Sequence, residues 1–237
     1  MITFKDMFSL TEDNEEFAFR YKDAPILHEA VFVDLEHYIF RQPVCVGIFG
    51  AAYMIDRRLQ TEQYFLESAR DLKTLTLASL EFLMKKKAEG YKYLVTFAGK
   101  NDLMMIHAMF RKYGLTTDLR KEFICIDVQR EFEKRFKIGI GLKPLEILSG
   151  INREGGDMSG ASIAKTFARI MRDPEYIRRM DRQKIHRLIE YNKQDVVSLY
   201  HILAGWYELS DELIALYTSE KARLRAMEQS ALENLTE

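Results

Sequence analysis

The chain has 237 residues, of which 47% are hydrophobic, 30% are charged and only four are proline. This composition predicts one large globular domain with appendages. The formal net charge of −1 excludes a general polyanion binder, so any contact with nucleic acid must come from local patches of positive charge.

The N-terminus gives no sign of a leader segment, because it lacks a basic start followed by an apolar run. The longest apolar stretch, residues 44–55, is far too short to span a membrane. Cys45 and Cys125 each lie in an apolar, strand-like run with no CxxC or histidine-rich neighbourhood. We expect both to be small core residues in a reducing compartment rather than metal or redox groups. These features predict a cytoplasmic protein with no membrane partner.

The first strand is predicted in "VFVDLEHY", residues 31–38. Val31, Val33 and Leu35 share one face at a period of two, which places Phe32, Asp34 and Glu36 together on the other. Two carboxylates therefore lie side by side in an apolar setting. Alone, they fit a solvated strand end that pairs with a lysine as well as they fit a site.

The remaining elements follow in a clear order after a polar N-terminal arm. Residues 44–54 and 61–68 read as an antiparallel hairpin beside the first strand. Next come a helix over 71–90, a strand over 91–97, a helix from 102 to Gly114, a strand over 123–128, a mostly helical region from 129 interrupted at 149–160 and at Pro174, and a charged helical tail over 209–237. This order predicts an α/β fold with a mixed five-stranded sheet.

Three further acidic or aromatic residues are candidates only in combination. Asp102 begins a predicted helix, where aspartate is also a favoured N-cap. Tyr191 and Asp195 are four residues apart on one helix face, which alone is typical of a surface hydrogen bond. Residues 165–187 contain eight basic and three acidic residues. This segment fits a track for a phosphate backbone and also a solvated face with internal salt bridges.

The chain carries three acidic motifs in a fixed order: an Asp-x-Glu on the first strand, an Asp after the fourth strand and a Tyr-x-x-x-Asp on a late helix. This order resembles that of the DnaQ-like exonucleases of the ribonuclease H-like fold, specifically the tyrosine-bearing DEDD group. More narrowly, "GLKPLEILSGINREGGDMSGASIAKTF" and "YNKQDVVSLYHIL" resemble the YprB-like exonuclease domain, which shares LxxLE, Gly-Ile-x-Arg, Ser-Gly and Tyr-Asn-x-x-Asp-Val. The resemblance implies helices on both faces of the sheet. It also implies an arm over 1–28, an exonuclease domain over 29–205 and a helical extension over 206–237 packed on the same domain.

The resemblance implies a metal-dependent 3′ to 5′ exonuclease that releases nucleoside 5′-monophosphates from single-stranded DNA or RNA. Two Mg²⁺ or Mn²⁺ ions are expected, since hard cations take oxygen ligands and can stabilise both the attacking and the leaving oxygen. By resemblance, Asp34 bridges both ions, Glu36 and Asp195 complete the ion that carries the attacking water, Asp102 holds the second ion, and Tyr191 orients or deprotonates that water. The position five before Asp195 is Glu190, which excludes the histidine-bearing subtype.

The expected substrate contacts are His37, Lys100, Asn101 and Lys143. Two of these regions depart from the family pattern: His37 replaces the usual Thr, and the second motif, residues 98–102, is shortened. The alternative function is a catalytically silent ribonuclease H-like module that binds nucleic acid or a protein partner.

Overall fold

The computed structural model describes residues 1–9, 15–153, 158–220 and 223. Its strands are β1 (Ile2–Ser9), β2 (Arg20–Tyr21), β3 (Ala24–Pro25), β4 (Ala30–Phe40), β5 (Gln42–Ile55), β6 (Arg58–Phe65), β7 (Tyr93–Thr96) and β8 (Ile124–Asp127). The helices are α1 (Leu72–Ala88), α2 (Lys100–Lys112), α3 (Leu119–Glu122), α4 (Val128–Phe136), α5 (Leu142–Leu148), α6 (Gly160–Arg172), α7 (Tyr176–Arg179) and α8 (Arg182–Ala204).

The main sheet is mixed and has the order β1-β6-β5-β4-β7-β8, while β2 and β3 form a separate two-stranded ribbon. β4, β5 and β6 make an antiparallel meander, and β7 and β8 extend it in parallel. The α/β class and the mixed sheet are confirmed. The hairpin loop between β5 and β6 is shorter than predicted, because Asp56 and Arg57 alone make the turn with positive φ angles of 46° and 61°.

The predicted count of five strands is wrong, because part of the polar N-terminal arm is a sixth strand. β1 pairs antiparallel with β6 along its whole length at the edge of the sheet. Ile2 and Phe4 pack against the core, and the amino terminus lies 2.7 Å from a carboxylate oxygen of Glu67. The outer half of β1 is exposed, so its composition resembles that of a solvated arm.

Two hydrophobic clusters pack against the sheet. Val31, Val33 and Leu35 belong to the first, together with apolar residues of α1, α2, α6 and the N-terminal half of α8. Phe32 belongs to the second, together with the C-terminal half of α8. The two-residue alternation predicted for the first strand is therefore confirmed. Among the described helices, none is both long enough and apolar enough to cross a bilayer.

The chain ends and the cysteines complete this account. The described part of the predicted tail is helical over 211–220, and Leu209 and Ile214 are buried in the second cluster. Most of the remaining tail, like residues 154–157 of the predicted turn, lies outside the described residues. Cys45 is buried as expected, whereas the prediction for Cys125 is wrong. Cys125 is exposed because β8 is an edge strand.

Candidate functional site

The site begins on β4, where the apolar alternation continues into acids. Asp34 and Glu36 follow Phe32 on the face that α8 covers, and both are partly buried. Between Glu36 and His37 the pairing with β5 shifts by one residue, so Gly47 is an extra, bulged residue beside the acids. A Cβ at position 47 would lie 2.4 Å from the Phe167 ring, so this glycine lets α6 pack against the bulge.

α8 is brought onto the same face by an amide network. Asn192 Nδ2 donates hydrogen bonds to the Asp34 carboxylate at 2.8 Å and to the Asp34 backbone carbonyl at 3.2 Å. Its Oδ1 accepts a hydrogen bond of 2.7 Å from Gln63 on β6. A Cβ at Gly50 would lie 2.1 Å from that oxygen, so glycine is required for this close approach. The network therefore holds α8 against β4 at Asn192, about one helical turn before Asp195.

Asp34, Glu36 and Asp195 meet at this point. Each offers a carboxylate oxygen, and the three oxygens lie within 4.8 Å of one another. Burial raises the pKa of Asp34 to about 7, and the charge of Asp102 adds to this effect. Burial raises the pKa of Glu36 to about 9, reinforced by Asp34 and Asp195. The pKa of Asp195 is also raised, first by burial and then by Asp34.

Asp102 joins the group electrostatically from α2. The N-cap of α2 is Gly99, so the alternative reading of Asp102 as the helix cap is wrong; it lies in the first turn. Its Oδ1 is 3.9 Å from His37 Nε2. Burial raises the pKa of Asp102 to about 7, reinforced by Asp127 and Asp195. We call Asp34, Glu36, Asp102 and Asp195 the acid cluster.

Tyr191 lies beside the acid cluster and is flanked by two cations. The guanidinium carbon of Arg153 is 5.2 Å from the centre of the Tyr191 ring, and Lys143 Nζ is 5.8 Å from it. Burial raises the pKa of the Tyr191 phenol, and the charges of Asp195 and Glu36 act in the same direction. The phenol is therefore neutral near pH 7 when no cation is bound.

Of the remaining predicted substrate contacts, Lys100 and Asn101 are exposed in the first turn of α2. His37 is three-quarters buried, and burial lowers its pKa, so its imidazole is neutral near pH 7. The structure thus places His37, Lys100 and Asn101 around Asp102, and Lys143 near Tyr191.

Sequence reasoning did not identify three residues of the site, Glu146, Arg153 and Asn192. Arg153 donates two hydrogen bonds of 2.6 Å to the Glu146 carboxylate and another to Asp195. Asn192 carries the amide network described above. The signal was available: all three lie in the LxxLE, Gly-Ile-x-Arg and Tyr-Asn-x-x-Asp-Val motifs, but no role followed from the motifs alone.

The acid cluster fits divalent cations. Four carboxylates supply only oxygen, the ligand that Mg²⁺ and Mn²⁺ prefer. Their mutual repulsion and burial oppose ionisation, and a bound cation would reverse that effect. The three closest acids could hold one ion. Asp102 lies outside this group of three and interacts with it through its charge.

A comparison with protein-family models gives a match that covers the site. The family model RNase_H_2, described as RNase_H superfamily, matches residues 31–207. The matched segment contains every residue of the acid cluster as well as Tyr191. No curated protein matches the chain.

Proposed function

The chain belongs to the RNase H superfamily, and from this premise we propose that it is a metal-dependent 3′ to 5′ exonuclease of the YprB-like, tyrosine-bearing kind. Its substrate is single-stranded nucleic acid, and its products are nucleoside 5′-monophosphates. The observation that carries the proposal is the convergence of Asp34, Glu36 and Asp195, whose ligand oxygens lie within 4.8 Å of one another inside the matched segment.

In this proposal Asp34, Glu36 and Asp195 hold one Mg²⁺ or Mn²⁺ ion, and Asp102 helps to hold a second. When bound, such ions activate water and stabilise the charge of an in-line phosphodiester displacement. Asn192 keeps the Asp34 carboxylate turned toward α8 by its 2.8 Å hydrogen bond.

Tyr191 acts in this proposal on the attacking water, which it orients or helps to deprotonate. Support comes from its position four residues before Asp195, on the same face of α8. Without a cation, burial and the charges of Asp195 and Glu36 raise the pKa of the phenol, and a bound divalent cation would act in the opposite direction.

The surface around the acid cluster supports a nucleic-acid substrate. Lys100 and Asn101 stand exposed at the start of α2, beside Asp102. α6 packs against the bulge next to Glu36 and carries part of the basic segment 165–187. Some of that segment is internally neutralised, since Arg178 pairs with Glu175 at 2.8 Å and Arg179 pairs with Asp173. The other basic side chains of α6 and α8 are the proposed contacts for the phosphate backbone.

The direct test is digestion of 5′-labelled single-stranded DNA and RNA by the purified protein with Mg²⁺ or Mn²⁺. We expect a ladder that shortens from the 3′ end and disappears with EDTA. The preferred sugar is read from the same gel. A parallel digestion of 3′-labelled substrate should release labelled mononucleotide first.

The matched control is Asp34→Asn, which keeps the size of the side chain and removes its charge. It should fold and leave both substrates intact. Intact substrates with wild-type protein under every metal would refute the nuclease and leave the silent binding module. That alternative would then require salt-sensitive binding of oligonucleotide with no effect of metal.

A further inference from the structure

Arg153 is held unusually firmly at the edge of the acid cluster. Its Nε and Nη2 each donate a hydrogen bond of 2.6 Å to Glu146, and Nη2 also donates to Asp195. The Glu146 side chain is only 2% exposed and the Arg153 side chain only 14%. A two-point carboxylate contact fixes the plane of a guanidinium, so Arg153 has little freedom to reorient.

One nitrogen of this fixed group has no partner. Nη1 of Arg153 is buried and makes no hydrogen bond to any described residue. Buried polar groups are normally satisfied, and leaving a charged donor unpaired is costly. An orphaned donor at a candidate active site therefore points to a ligand that supplies the missing acceptor.

The surroundings define the chemistry of that ligand. The Arg153 guanidinium contacts Asp195 and lies 5.2 Å from the Tyr191 ring, beside the atoms proposed to act on the substrate. A phosphodiester that approaches four carboxylates is repelled unless a cation receives its non-bridging oxygens. A guanidinium is well suited to this, because its planar N–H groups match phosphate oxygens.

We propose that Arg153 binds the phosphate at the cleavage position through Nη1, while Glu146 holds its guanidinium in place. This proposal rests on the nuclease function proposed above and adds a residue that contacts the substrate. Glu146 acts through Arg153 and is a positioning residue.

The test compares Arg153→Gln, Arg153→Lys and the matched surface control Arg111→Gln, which removes the same charge at an exposed site near the end of α2. We expect Arg153→Gln to lower kcat/KM about 100-fold, the scale of losing one donor to developing charge. Arg153→Lys should remain at least about tenfold below wild type, because an ammonium cannot keep both contacts to Glu146 and still offer Nη1. Arg111→Gln should match wild type.

A second readout does not depend on catalysis. Fluorescence anisotropy of a 5′-labelled oligonucleotide, with Ca²⁺ in place of Mg²⁺ and a gel to verify intact substrate, should show about tenfold weaker binding to Arg153→Gln. Added guanidinium ion should restore part of the activity of Arg153→Ala, which a merely structural role would not allow. Glu146→Gln should lower activity in the wild-type background but cause no further loss in Arg153→Gln.

The outcomes separate the two proposals. If wild-type protein degrades and binds the oligonucleotide and Arg153→Gln does so equally well, Arg153 has no role with the phosphate and the inference is overturned. If wild-type protein shows no metal-dependent cleavage, the proposed function itself fails. If Arg153→Gln does not fold, Arg153→Lys decides: activity and Ca²⁺-dependent binding equal to those of Arg111→Gln would overturn the inference.

Discussion

Two clusters of charged residues lie against opposite faces of the sheet, and they differ in how far their charge is compensated by neighbouring groups. On one face Lys86, only 4% exposed, lies 2.7 Å from Glu89 and 3.7 Å from the centre of the Tyr53 ring. We call these three residues the Lys86 cluster. On the other face Asp34, Glu36 and Asp195 of the acid cluster meet, and Asp102 interacts with them from the start of α2. Arg153 donates hydrogen bonds both to Asp195 and to Glu146.

The difference separates structural from functional charge. In the Lys86 cluster one cation meets one carboxylate and aromatic rings, so burial is compensated within the protein. Nearby, Glu62 is likewise paired with Lys5 at 3.0 Å and accepts a hydrogen bond from Tyr64. The acid cluster has more carboxyl groups than the described cations around it can neutralise, so without a bound cation burial and mutual repulsion favour their protonated forms. A lack of charge compensation in a buried cluster indicates function more strongly than a large number of charged residues does.

The largest expected effect comes from neutralising the centre of the acid cluster. Asp34→Asn should lower exonuclease activity by more than about 1,000-fold, because it removes one of the three closest carboxylates that would hold the proposed ion. The same change should raise the melting temperature in EDTA at about pH 8, since it relieves repulsion among buried carboxylates. Digestion assays and thermal unfolding of the same preparation measure both. A fall in melting temperature would show that Asp34 is a structural acid.

The opposite pattern is expected on the other face. Lys86→Ala should lower the free energy of unfolding by about 3 kcal/mol, because it removes a buried stem and its contact with the Tyr53 ring. Its exonuclease activity should stay within about twofold of wild type. Urea unfolding supplies the measurement, with Lys85→Ala as control: that neighbouring side chain is 71% exposed and should cost less than about 0.5 kcal/mol. Equal costs for the two variants would contradict the role given to Lys86.

Metal binding should distinguish the clusters directly. Mn²⁺ at about 100 times its Kd should stabilise the wild-type protein by about 2.7 kcal/mol, because it binds only the folded state. Asp195→Asn should lose most of this stabilisation, whereas Lys86→Ala should keep it. Thermal unfolding with Mn²⁺ and with EDTA provides the comparison. The same Mn²⁺ effect in Asp195→Asn as in wild type would place the ion elsewhere.

The smallest expected effect is on pH dependence without metal. Folding raises the pKa of Asp34 and Asp102 from 3.8 to about 7. Between these values the folded protein holds protons that the unfolded chain has released, so stability falls as pH rises. In EDTA each of these two carboxyl groups should lower the unfolding free energy by up to about 1.4 kcal/mol per pH unit between about pH 5 and 7. Glu36, whose pKa is raised from 4.5 to about 9, adds to the slope in the same direction. Urea unfolding should show a shallower slope for Asp34→Asn and an unchanged slope for Lys86→Ala.

The sequence by itself determined the two-residue alternation of the first strand and the order of most elements, because each depends on local patterns of apolar, turn and capping residues. It also supplied the candidate acids, since a carboxylate in an apolar strand is visible without a structure. The sixth strand was missed because an exposed edge strand keeps a polar composition.

Only the tertiary structure decided which acids meet and what holds them. Asn192 contacts Asp34 across 158 positions of sequence, and Arg153 contacts Asp195 across 42. Local patterns carry no information about such distances. The need for glycine at positions 50 and 47 is evident only from the packing of Asn192 of α8 and Phe167 of α6 against them. The kind of chemistry could therefore be predicted from the residue types of the site. Its geometry could not, because it follows from long-range packing that short motifs do not encode.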